Sequence, residues 1–325
     1  MSGSKKIICS IFSLKGFKSI LELKKYIATN TMYREKIDLS KKDIENQIVL
    51  SGRDSYYEYK WCNEVEVQCF TCLDKNVNFI SVDANIEYGK RVKRDKNGFY
   101  LPREERVSSE TYRVYFVFID NECYSIICAS KQIFIDRIQK LIGKKYFDRK
   151  QTIYDLPSDF FDWFFYKFTI DEKQLGNDYI LDRIDGFKGN IVDENNIVKG
   201  ESYHTSELIV TKAFISNGEL LKNITARVRK ENEIDIVFAL DNESKAVIYI
   251  RSSEYFCLFE NLEKHIYLVL YLYFVLIPEL LKIYDLEKES FINKNKKTFQ
   301  KKMGLDVIKS IMEYNNISLD DISQI

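Results

Sequence analysis

Apolar positions along the first half of the chain fall mostly at every second residue, the spacing of a half-buried strand. Lys5–Phe12 alternates loosely and predicts an opening strand. Gly16 then precedes Ile20, Leu23 and Ile27, whose spacings of three and four predict a helix. From Ser55 the period returns to two: Tyr57, Tyr59 and Trp61, then Val65 and Val67, then the run Val77–Tyr88. Tyr112–Ile119 and Cys123–Ala129 are both strand-prone, and a three-residue turn Asp120-Asn121-Glu122 joins them as a hairpin. Ser130 is placed to cap a helix with Ile135, Ile138 and Leu141 on one side, which Gly143 stops.

The second half changes character. Pro157 and Ser158 open a helix, DFFDWFFYKF, whose aromatics form either a packed core or a face for a partner. Residues 177–204 predict a loop, because Gly186, Gly189 and Gly200 lie among Asn and Asp. A short capped helix from Ser206 to Phe214 follows. A meander comes next: Leu220–Arg229, Glu233–Leu240 and Ala246–Arg251, with the turn Asp241-Asn242-Glu243. The chain closes in helices at about 258–283, 286–299 and 305–315, with a short turn after Ser318. The run 265–281 is apolar all round, shorter than the ~20 residues a bilayer needs and broken by Pro278 and Glu279, so it predicts a buried core helix. The fold class is therefore α+β: a β-rich domain with two helices over 1–150, and an α+β domain over 151–325 with the meander at 220–251 and helices at 258–315.

Composition supports folding, since 45% of residues are hydrophobic and 14% aromatic. The net charge of zero hides a split, with 1–150 carrying +8 and 151–325 carrying −8. Such halves either attract each other or leave the basic half for an anionic partner. Seven cysteines with no secretory h-region predict reduced thiols and a cytoplasmic chain.

Phosphate-loop, dinucleotide-fold and nucleophile-elbow motifs are absent. Only His204 and His265 are available for histidine chemistry; the first sits in a polar stretch, the second beside the apolar helix. Cys69-Phe-Thr-Cys72 with Cys62 upstream has half of a zinc set, which Cys123 and Cys128 would have to complete. Residues three apart on a strand point to opposite faces, so no metal or other cofactor is expected. Asp235 on one strand, with Tyr249-Ile250-Arg251 on the next, resembles the core hairpin of PD-(D/E)xK nucleases. In that family an Asp and a Glu-x-Lys hold a divalent metal; here Tyr249 stands where the Glu belongs, and hard cations want carboxylate oxygen. The resemblance implies at most a divergent or degenerate nuclease, and the simpler reading of Glu233 and Asp235 is a solvated strand face.

The feature that best suits a partner is Lys90-Arg91-Val92-Lys93-Arg94-Asp95-Lys96, five cations in seven residues, followed by Asn97-Gly98-Phe99-Tyr100. Cations neutralise phosphates and aromatic rings stack on bases. Asn97-Gly98 predicts a protruding hairpin tip, although Glu104 and Glu105 dilute the charge. Lys140, Lys144, Lys145, Arg149 and Lys150 supply a second basic group. The expectation is a non-enzymatic, cytoplasmic, nucleic-acid-binding protein acting through Lys90, Arg91, Lys93, Arg94, Lys96, Lys144 and Lys145. A Lys/Ile/Asn-rich, Pro-poor chain of this kind suits a bacterial antiviral-defence or mobile-element component. The alternatives are a protein-interaction component or homo-oligomer using the Phe160–Phe168 or 265–281 helix, and the divergent nuclease.

Overall fold

In the computed structural model the described residues are 6–41, 43, 48–72, 75–148, 154–170, 173–190, 197–201, 209–256 and 262–323. The chain is α+β and divides into two compact units: Ile8–Thr152, and Ile153–Ile325 together with Met1–Ile7.

Among the described residues the N-terminal unit is an antiparallel sheet with two longer helices and a one-turn helix at Arg103–Arg106. Its strands are β1 Ile7–Leu14, β2 Met32–Lys36, β3 Tyr56–Trp61, β4 Val67–Cys72, β5 Lys75–Gly89, β6 Val107–Ile119 and β7 Glu122–Ile127. They lie in the order β1-β7-β6-β5-β3-β2, and β4 shares with β3 one edge of β5. The β6–β7 turn is one residue tighter than expected. Ile119 pairs directly with Glu122, leaving Asp120 (φ 51°) and Asn121 (φ 64°) as a two-residue turn with both residues left-handed. That geometry matches the twist of the flanking strands, and Asp and Asn tolerate it.

Helix α1 (Ile20–Thr29) buries Ile20, Leu23 and Ile27, the three residues its spacing singled out, and Ser19 caps it by accepting from the Glu22 N–H. Helix α2 (Gln132–Ile142) buries Phe134, Ile135, Ile138 and Leu141. Its N-cap is Lys131, one residue beyond Ser130, and it ends at Gly143 (φ 105°). Both helices pack on the face carrying Ile80, Val82, Ala84, Ile86, Val114 and Phe116. Buried Cys9 and Cys128 stand side by side in the same unit, Sγ to Sγ 3.0 Å.

The C-terminal unit has β8 Gln174–Gly176, β9 Tyr179–Asn190, β10 Ile197–Glu201, β11 Leu221–Lys230, β12 Ile234–Asp241, β13 Ala246–Ile248 and β14 Glu254–Tyr255. Strand order is β10-β9-β11-β12-β13, with β8 on β9 and β14 on β12. Most of the span expected to be loop, 177–204, is thus the β9–β10 hairpin arm. Glycine marks a close approach there rather than a loop: a Cβ on Gly189 would meet the Phe214 ring at 2.2 Å.

Helix α3 (Phe160–Ile170) buries Phe160, Phe161, Trp163, Phe164 and Phe165, so its aromatics are core and not a partner-binding face. Trp163 Nε1 donates to Glu287 and the buried Lys167 pairs with the same carboxylate. Helix α4 (Ile209–Ser216) packs on the C-terminal helix, with Ser216 beside Gly304.

The three closing helices expected from sequence are one, α5 (Lys264–Asn315), followed by a short α6 (Leu319–Ser323). Two wider π-type turns, Leu272–Leu276 and Phe291–Asn295, interrupt its α-helical ladder. The first lies just before Pro278, whose missing N–H would otherwise break the ladder. Long and apolar enough to cross a membrane by composition alone, this helix has 78% of its most apolar window buried, and every residue from Ile266 to Ile277 is core.

Candidate nucleic-acid interface

The basic segment is the connection between β5 and β6. Gly89 ends β5 opposite Val107, and the chain between them folds back as a small hairpin. Arg94 bridges to Tyr100, and the Leu101 N–H donates to the Lys93 carbonyl at 3.0 Å. Asp95 organises the tip, its Oδ1 accepting from the N–H groups of Asn97 and Phe99, both at 2.9 Å. Gly98 (φ 87°) supplies the left-handed residue that closes the turn. Gly89 is crowded by side-chain ends: a Cβ there would meet Lys93 Cε at 2.6 Å and the Tyr57 hydroxyl at 2.4 Å, so both would have to shift.

Three arginines of this connection, Arg94, Arg103 and Arg106, are paired within the protein. Arg106, 3% exposed, pairs with Asp54 at 2.7 Å and donates from Nε to the Leu101 carbonyl. Arg103 donates to the carbonyls of Arg53 and Tyr56 and pairs with Glu87. Arg94 pairs with the buried carboxylate of Asp43, donates to the Gly98 carbonyl at 2.7 Å and lies 4.2 Å over the Tyr100 ring. Its charge is compensated inside the protein, unlike that of an arginine waiting for a phosphate.

The lysines and Arg91 face solvent. Lys90, Arg91, Lys93 and Lys96 are exposed, and among the described residues they form no ion pair; Lys90 Nζ donates to the Glu104 carbonyl at 3.1 Å. Val92 and Phe99 stand beside them, 64% and 66% exposed. A cavity of about 590 Å³ opens at the tip, lined by Asp43, Ile48, Arg94, Lys96, Asn97 and Phe99 among others.

Lys144 and Lys145 are exposed in a 3-10 turn after Gly143, Lys145 Nζ lying 4.9 Å over the Tyr146 ring. They do not join the first group. Their turn adjoins Phe147, which bridges to Leu14, and Leu14 pairs with Cys123 opposite Phe118. The basic hairpin adjoins Val107 at the other end of β6, about 36 Å away along the strand at ~3.3 Å per residue. Lys140 is engaged with Glu35, while Arg149 and Lys150 lie outside the described residues. At Glu35, burial pushes the carboxyl up, but hydrogen bonds from Lys140 and Tyr59 prevail and hold it below the ordinary glutamate range.

The other candidates resolve into structural roles. Asp235 is 8% exposed and accepts two bonds from Arg227, at 2.7 and 2.5 Å; Glu233 accepts from the Tyr271 hydroxyl at 2.6 Å and pairs with Lys230. The expected solvated face is therefore a paired, largely buried one. The strand carrying the nuclease-like tripeptide stops at Ile248, and Arg251 lies in a 3-10 turn. Cys62 and Cys69 are exposed, and among the described residues no group of three metal-ligating side chains is gathered. His265 is buried with Nδ1 3.1 Å from Glu263; His204 and Cys257 lie outside the described residues. No known protein family and no curated protein sequence matches the chain.

The basic hairpin is legible in the sequence, and Asp43 is not. A lone Asp 51 residues before Arg94 carries no local signal, because only the fold makes them partners.

Proposed function

We propose that this chain is a nucleic-acid-binding protein of the cytoplasm that grips the phosphate backbone with the hairpin between β5 and β6. The observation that carries the reading is the sorting of charge in that hairpin. Three arginines are neutralised inside, while Lys90, Arg91, Lys93 and Lys96 are held outside with Phe99 among them. Cations that neutralise phosphates release condensed counterions, and an exposed ring is a surface on which a base can stack. Lys144 and Lys145 then serve as a separate, weaker contact for a long polyanion. Fluorescence anisotropy of the full chain with labelled oligonucleotides tests this: affinity should fall steeply with salt, and Lys93→Ala with Lys96→Ala should flatten the dependence.

A second reading, protein interaction, keeps one observation in its favour. On α5 the side chains of Leu305, Ile308 and Ile311 are 56%, 51% and 40% exposed at a helical spacing of three. If the chain binds no nucleic acid, co-purification with a partner lost on Ile308→Glu would support that role.

A further inference from the structure

We propose that the cavity at the hairpin tip is a seat for one unstacked base, so that the ligand is single-stranded nucleic acid rather than duplex. This rests on the nucleic-acid reading above and goes beyond it by naming the strand state. The cavity holds about 590 Å³, within the roughly 300–1,000 Å³ typical of small-molecule sites and ample for a purine or pyrimidine. Its walls are of the kinds that hold bases. Phe99 contributes an exposed ring, Arg94 a planar guanidinium fixed by Asp43 and Tyr100, and Ile48 an apolar floor. Bases stack on aromatic rings and on arginine planes. Asn97, with both donor and acceptor atoms, lines the same opening, and Lys96 stands beside it for the adjoining phosphate.

The buried carboxylate of Asp43 does not repel a strand there, because Arg94 neutralises it, and Ser40 N–H (2.8 Å), Ser40 Oγ (2.7 Å) and Tyr100 OH (3.2 Å) donate to its Oδ2. Ordering of the guanidinium precedes any ligand, so the stacking surface is preformed. A base still paired in a duplex has its faces covered by its neighbours and cannot enter. Stacking is tolerant of base identity, so the seat selects unpaired over paired strands without reading sequence.

The test uses the full chain and three labelled probes: twelve-unit oligo-dT, the same twelve-unit backbone without bases, and a twelve-base-pair duplex, which carries about twice the phosphates and should still bind more weakly than oligo-dT. Oligo-dT should bind about 10-fold more tightly than the abasic probe, the scale of one stacked base, at the same salt slope. Phe99→Ala should reduce oligo-dT to the abasic level, and Phe99→Trp should restore it. Phe99 is 66% exposed, so neither change threatens the fold. Equal binding of oligo-dT and the abasic probe would overturn the base seat while leaving the nucleic-acid reading intact. So would a preference for oligo-dT that survives Phe99→Ala. Failure of all three probes to bind at low salt would overturn the reading beneath it as well.

Discussion

Arg94 and Lys93 are neighbours in one basic run, yet the fold gives them opposite tasks, and replacing each by alanine separates those tasks. Lys93 is exposed and pairs with nothing among the described residues, so Lys93→Ala should change stability by no more than about 0.5 kcal/mol. Arg94 neutralises Asp43, whose side chain is only 3% exposed. Breaking a buried pair by removing one partner costs about 3–5 kcal/mol, because the remaining charge is stranded. Three donated bonds to Asp43 Oδ2 survive in Arg94→Ala, which argues for the lower end, near 3 kcal/mol. Loss of the guanidinium from the Tyr100 ring adds about 1 kcal/mol. The total, about 4 kcal/mol, should appear as a large drop in the denaturant midpoint with an unchanged m-value. Asp43→Asn in the Arg94→Ala background should recover much of the loss, since the stranded charge is then gone. An Arg94→Ala protein as stable as the parent, but with the salt slope of single-strand binding reduced by about 0.7, would refute the assignment and make Arg94 a phosphate contact.

Further outcomes follow from other parts of the fold. Leu270, fully buried in α5, should lose about 2–5 kcal/mol on mutation to Ala, and Leu270→Asp should fail to fold; a folded Asp variant with altered oligomeric state would place the helix on a surface. With its folded carboxyl held below the ordinary glutamate range, Glu35 stabilises the protein above that range, and the contribution disappears as pH falls through the depressed value. Acid unfolding of Glu35→Gln should lack that part of the pH dependence, measured as denaturant midpoints between about pH 6 and pH 3. Cys62 and Cys69 are exposed whereas Cys9, Cys123 and Cys128 are buried, with burial pushing the Cys9 thiol well up and the Cys123 thiol to about 12. A thiol reagent should therefore label 62 and 69 in the native protein, and 9, 123 and 128 only after unfolding, as read by peptide mapping.

What the sequence revealed was local. Ile20, Leu23 and Ile27 declare α1 because one helical face meets one core, and the β6–β7 hairpin declares itself through Asp120 and Asn121, residues that accept the left-handed conformation of the turn. What it concealed was relational. Gly189 read as loop because the reason for glycine, the Phe214 ring against β9, lies 25 residues away in sequence. The closing helix read as three, because nothing local marks the packing that keeps α5 continuous from Lys264 to Asn315. At the candidate site the same division holds. The five cations were visible, but only the fold separates Arg94, committed to Asp43, from the four that face solvent, and only the fold sets Lys144 and Lys145 at the far end of β6.

The proposal that the outward cations of the β5–β6 hairpin engage phosphates is tested by the salt dependence of affinity. With Lys90, Arg91, Lys93 and Lys96 each neutralising one phosphate, log affinity against log salt should have a slope near −2.8 for a single strand, at about −0.7 per contact. Lys93→Ala with Lys96→Ala should halve that slope to about −1.4 while leaving thermal stability unchanged. A slope near zero in the parent protein, or one that the double variant leaves intact, would contradict the claim.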